Sequence, residues 1–146
     1  MSVKDSLEGT SPHISDRYIT REIAGAAITM GQLVQQSANQ TVVPSPNAPT
    51  TARCGIAITS AAINKAVSVL WRGRARATAY GTINAGDWVG PASGSSAIGC
   101  VQTVAAPSLT ISAGTALVSY LAQLMNIFAS CEIGASSGGS AVILID

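Results

Sequence analysis

From Glu22 onward, apolar residues recur in short runs separated by glycine, proline and small polar residues, which is the spacing of strands and turns. ITREIAGAAI passes into MGQLVQQ and then TVV. The loop Pro44–Ala52 carries three prolines and is barred from the inside of a sheet, because proline donates no ladder hydrogen bond. CGIAITS follows as a short strand. In AINKAVSVLWRG, Ala66, Ser68 and Leu70 share one face and Val67, Val69 and Trp71 the other, so this strand is apolar on both faces and predicted to be interior. RGRARATAY alternates: Arg72, Arg74 and Arg76 lie on one face and Gly73, Ala75, Ala77 and Ala79 on the opposite one. After a turn at PASGSS, AIGCVQTV and SLTIS read as strands, and SAVILI closes the chain as a strand apolar on both faces. The period changes once. Leu117, Leu121, Leu124, Met125 and Phe128 form an i, i+4, i+7, i+8, i+11 stripe behind a Thr115 N-cap, which predicts one helix over about 115–130. Val118, Tyr120 and Ile127 fall off that stripe, so the helix needs cover on more than one side. Residues 1–21 show no such pattern and read as an extended N-terminal arm with Ile14, Tyr18 and Ile19 as possible anchors. The predicted architecture is mainly β, a small β-barrel or β-sandwich over residues 22–146 with that one helix.

One pattern occurs twice. Ala26–Val34 reads AAITMGQLV and Gly81–Val89 reads GTINAGDWV, sharing I-x-x-G-[QD]-[LW]-V. An Ile ends one strand, Gly31 or Gly86 supplies a positive φ at no steric cost, a polar residue follows, and an apolar pair opens the next strand. Asp87, directly after the glycine, is predicted to bond nearby backbone amides of its turn. Each copy is followed by a loop, a GIAITSA- or EIGASSGG-like stretch and an apolar strand. The body therefore divides into two related β-halves, roughly 22–72 and 78–146.

Charge changes this picture by its placement. Charged residues make up only 10% of the chain, and seven of them (Lys4, Asp5, Glu8, Asp16, Arg17, Arg21, Glu22) lie in the first 22 residues. A body this poor in charge is expected to hide part of its surface in an assembly, since a free domain keeps itself soluble with a mixed charged surface. The N-terminus lacks the apolar run of a secretory signal. The longest apolar stretch, Ala116–Ala129, is too short to cross roughly 30 Å of hydrocarbon, so no membrane partner is expected.

No reaction centre is legible. His13 is the single histidine, and Cys54, Cys100 and Cys131 are spaced too far apart to form a metal motif and read as reduced, small core residues. GASSGGS lacks the lysine of a phosphate-binding loop. Neither enzyme activity, a metal nor a cofactor is expected. The arginine face of the strand at 72–76 must meet solvent, carboxylates or phosphates, because unpaired guanidinium groups are not buried. Bidentate pairing with carboxylates of a partner protein fits that face. Single-stranded nucleic acid is the competing reading, but Trp71 falls opposite the arginines and Tyr80 alone shares their face, whereas stacking needs several rings in series. In the arm, Asp16, Arg17 and Tyr18 are further candidate partner contacts.

The motif G-x-I-x-A-G-D-x-V, carried by Gly81, Ile83, Ala85, Gly86, Asp87 and Val89, resembles a signature of the small capsid decoration (cement) proteins of tailed bacteriophages. The strand before it, with Val67, Val69, Gly73 and Ala75, and the ending EIGASSGGSAVILID are similar to the same family. The resemblance covers about residues 22–146. It implies a small β-barrel or sandwich, commonly trimeric, bound to the outside of a capsid, bridging major capsid protein subunits and stabilising the shell without catalysis. A single-stranded nucleic-acid-binding barrel, and a head-fibre or adhesin base, are the alternatives.

Overall fold

A computed structural model describes residues 17–46, 53–104 and 127–145. Nine strands account for the regular structure there: β1 (Tyr18–Ala24), β2 (Leu33–Ala38), β3 (Thr41–Pro44), β4 (Cys54–Ala57), β5 (Ala66–Thr78), β6 (Trp88–Pro91), β7 (Val101–Thr103), β8 (Ala129–Ile133) and β9 (Ser140–Ile145). Their order is β1-β3-β2-β4-β5-β9-β8-β6-β7, with β1 also paired to β5. That extra pairing closes the first five strands into a barrel, which leaves no unpaired edge among them. The other strands curl back towards β5, where Ala79 bridges Val101 in parallel and Tyr80 N–H donates to the Val101 carbonyl at 2.8 Å.

The long strand β5 belongs to both units. Its first half pairs with β1 and β4, and its second half with β9. The boundary between the related halves therefore falls inside a strand. Apart from the register shift at Tyr18, the pairings of β1 and β2 in the first unit recur in the second. Thr20 lies opposite Val69 as Ala75 lies opposite Ile143, and Val34 lies opposite Pro44 as Val89 lies opposite Thr103.

The repeated motif is one corner built twice. Ile28 exchanges two backbone hydrogen bonds with Ala61, and Ile83 does the same with Ala135, all at 2.9 Å. Gly31 N–H donates to the Ala57 carbonyl and Gly86 N–H to that of Cys131, both at 2.8 Å. Both glycines have φ +92, a conformation in which a Cβ would clash with its own carbonyl.

The cores match in the same way. Ala24, Ile28, Val34, Val42, Ala57, Val67, Val69 and Trp71 fill the first unit. Ala79, Ile83, Val89, Val101, Cys131, Ala141, Ile143 and Ile145 hold the corresponding places in the second. Leu33, Ile56 and Leu70 point the other way and join the second core, which makes them the seam between units. Burying each contributes about 1.5–3 kcal/mol. The seam is also hydrogen-bonded: Thr78 N–H donates to the Gly31 carbonyl at 2.9 Å and Leu33 N–H to that of Gly99 at 2.7 Å.

Two expectations need correction. Among the described residues there is no helix. Residues 115–126 of the helical stretch lie outside them, while Ala129 and Ser130 open β8, paired with Val89 and Trp88. Phe128, the last residue of the apolar stripe, packs on the second core from extended chain. At Ala129 and Ser130 the pairing with β6 decides for the strand, since a short apolar segment satisfies either period. Residues 1–16 of the arm, with Asp16, also lie outside the described residues. Tyr18–Arg21, assigned to the arm, form the start of β1 and pair along β5 from Arg72 to Ser68. Their largely exposed side chains carry little pattern; the backbone ladder holds them.

Candidate partner-binding groove

The second half of β5 alternates as its sequence does. Arg72, Arg74 and Arg76 are exposed, and Gly73, Ala75 and Ala77 are buried. Small side chains let the second core close tightly against this strand. The three arginines nevertheless have different surroundings. Arg74 Nε reaches across β9 to Glu132 Oε2 on β8 at 2.8 Å. Arg76 has no ion-pair partner among the described residues. Arg72 lies opposite Tyr18, where the β1–β5 register shifts by one residue. That bulge re-aims the local side chains.

At this point the chain forms a groove of about 830 Å³ on the seam between the units. The first unit contributes Arg17 and Tyr18 at the head of β1, Arg53 and Cys54 at the head of β4, and Trp71 and Arg72 from β5. The second contributes Trp88 from β6, Ile127–Ala129 at the head of β8, and Ile145 from β9. The lining includes three pairs of matching positions of the repeat: Arg17 corresponds to Arg72, Cys54 to Phe128 and Trp71 to Ile145.

The Arg53 guanidinium carbon lies 4.5 Å from the centroid of the Trp71 ring and 5.2 Å from that of Tyr18. Such contacts stabilise a cation through the ring quadrupole and occupy none of its N–H donors. Trp71 is itself fixed. Its Nε1–H donates to Thr20 Oγ1 at 2.5 Å, and that hydroxyl donates to Glu22 Oε1 at 2.6 Å. Trp88 presents an exposed indole, 54% accessible, at the position where the first unit buries Leu33 completely. Burial pushes the Cys54 thiol up to about 11, and it raises Cys100 and Cys131 as well. The thiolate, the reactive form of cysteine, is therefore suppressed at neutral pH.

Of the residues singled out from sequence, the structure brings Arg17, Tyr18 and Arg72 together, leaves Arg76 apart and ties Arg74 to its own chain. Gly31, Gly86 and Asp87 lie at the two corners. Asp87 Oδ2 accepts hydrogen bonds from Asn84 N–H and Thr103 Oγ1, both at 2.9 Å. Gln32 Oε1 accepts the matching bond from Thr29 N–H at 2.9 Å. Arg53 and Trp88 were missed as groove residues, because each comes from a different strand and no local pattern links them. Among the described residues no three His, Cys, Asp or Glu side chains are grouped so as to hold a metal ion.

No protein-family model matches the chain, and no curated protein does. Among solved structures, the fold is similar to the crystal structure of the head fibre gp8.5 N base in bacteriophage phi29. The TM-score is 0.56 at 12% sequence identity, over 89% of this chain and 94% of that one. At that identity the likeness is one of fold.

Proposed function

We propose that this protein is a structural component of a phage virion that binds the outer surface of the capsid, where it bridges and stabilises major capsid protein subunits as a homo-oligomer, most simply a trimer. The observation that carries this reading is the fold likeness to a phage head-fibre base, which extends over nearly all of both chains. The charge-poor β body supports it, since a surface with few charges suits contact with copies of itself and with a lattice. Its role is mechanical, not enzymatic. Apolar burial supplies affinity, the arginines supply orientation, and symmetric repetition multiplies weak contacts through effective concentration. The test is co-sedimentation of the purified chain with capsids assembled without it. Saturable binding, with shells that rupture at a higher temperature, is the expected result. A chain left wholly in the supernatant would remove the reading.

A second reading, the base of a head fibre, is favoured by the same structural likeness. It shares the capsid contact and differs in what stands above it. Electron microscopy of decorated shells separates the two: low knobs mark decoration, and stalks mark a fibre base.

A further inference from the structure

Resting on the capsid-binding reading, we propose that the seam groove binds an extended acidic segment of the shell protein, with carboxylates held by Arg17, Arg53 and Arg72 and an apolar side chain lying on Trp88. Three guanidinium groups line this groove, and among the described residues no carboxylate does. None of the three is ion-paired among the described residues. Arg53 is already held in place by the Tyr18 and Trp71 rings, so little side-chain freedom remains to be lost on binding. Its donors suit the two oxygens of a carboxylate. Trp88 adds a large, rigid apolar face beside the charges, the side-chain type enriched where interfaces concentrate their energy.

A nucleic-acid strand fits less well. Arg53 already lies over the Tyr18 and Trp71 rings, and Trp71 is only 5% exposed, so among the described groove residues Trp88 is the exposed ring with no cation over it. A strand-binding channel needs several rings and a continuing basic track. The next arginine along β5, Arg74, is neutralised by Glu132.

The experiment is fluorescence anisotropy on the full chain with a labelled peptide of alternating glutamate and leucine. A lysine–leucine peptide and a thymidine oligonucleotide serve as comparison probes. The acidic peptide should bind, and Arg53→Glu or Arg17→Glu should weaken it about tenfold or more. Trp88→Ala should weaken it about fivefold. Arg76→Glu, which reverses a charge on β5 outside the groove, should change it less than about twofold. Melting curves establish that each variant is folded. The inference is overturned if Arg76→Glu matches Arg53→Glu, if no groove variant has an effect, or if the oligonucleotide binds more tightly than the peptide. The same variants are tested against capsids in parallel. Shell binding that survives Arg53→Glu and Arg17→Glu rejects the groove while leaving the capsid reading in place. A wild-type chain that takes the peptide yet ignores shells rejects the capsid reading and, with it, the shell protein as the source of the segment.

Discussion

At Asp87 a single carboxylate oxygen closes the second corner by accepting from both the Asn84 amide and the Thr103 hydroxyl. Replacing Asp87 with alanine leaves that amide without its side-chain partner. The expected cost is about 1 kcal/mol, seen as a melting temperature several degrees lower. Gly31→Ala and Gly86→Ala should each cost about 1–2 kcal/mol, because both positions need the same left-handed backbone. Equal losses in denaturant unfolding would show the corners to be energetically as well as geometrically alike. Cys54 gives a pH signature. Its thiol is held up to about 11, above its ordinary value of 9.0, by burial. The folded chain therefore keeps its proton where the unfolded chain has lost it. The stability contributed by the protonated thiol is full below about pH 9 and is lost as pH rises through about 11. Denaturant titrations across that window check the sign, and Cys54→Ala should flatten the dependence. These residue roles were readable in advance where they depend on neighbours within a few positions, as the Asp87 turn does.

At the scale of the element, β5 was legible in its alternation and in its two apolar faces, but not in its partners. A period of two says which side chains share a face; it does not say which strand lies beside them. Arg74 illustrates this: the ion pair with Glu132 depends on β8 and β9 folding back next to it. Arg74 is exposed and Glu132 half-buried, so Arg74→Ala should change stability by about 1 kcal/mol or less in thermal unfolding. The contact between β4 and β5 is much less tolerant. A Cβ on Gly55 would lie 2.7 Å from the Leu70 carbonyl oxygen and 2.9 Å from Trp71 Cε3. Gly55→Ala should therefore cost about 1–3 kcal/mol through overpacking. β1 was hidden because its first residues are mostly exposed, and a strand held by backbone bonds leaves little hydrophobic trace. The start of β8 was hidden for the opposite reason, a run so apolar that helical spacing could be found in it.

For the whole molecule, the seam explains why two matching units are not interchangeable. Leu33 and Trp88 occupy the same place in their corners, yet Leu33 is fully buried by the second unit and Trp88 faces outward. Leu33→Ala should cost about 2–5 kcal/mol in equilibrium unfolding. Trp88→Ala should lower the melting temperature of the isolated chain far less than Leu33→Ala does, because about half of Trp88 is exposed in the folded chain. The groove exists only because the units meet. Arg17, Arg53 and Arg72 come from the heads of two strands and the middle of a third, and the seam sets the second unit's Trp88 beside them.

By itself, the sequence determined that this chain is built from strands and tight turns, that one corner occurs twice, and that β5 carries arginines on one face and small residues on the other. Those properties depend on φ/ψ preferences and side-chain alternation over a few consecutive residues. Only the tertiary structure decided that the two units share β5, that Tyr18–Arg21 belong to the sheet, and that three arginines from separate strands line one groove. Pairing between distant strands is made by backbone N–H and C=O groups that are the same in nearly every residue, so the choice of partner rests on how the whole set of strands closes around its cores.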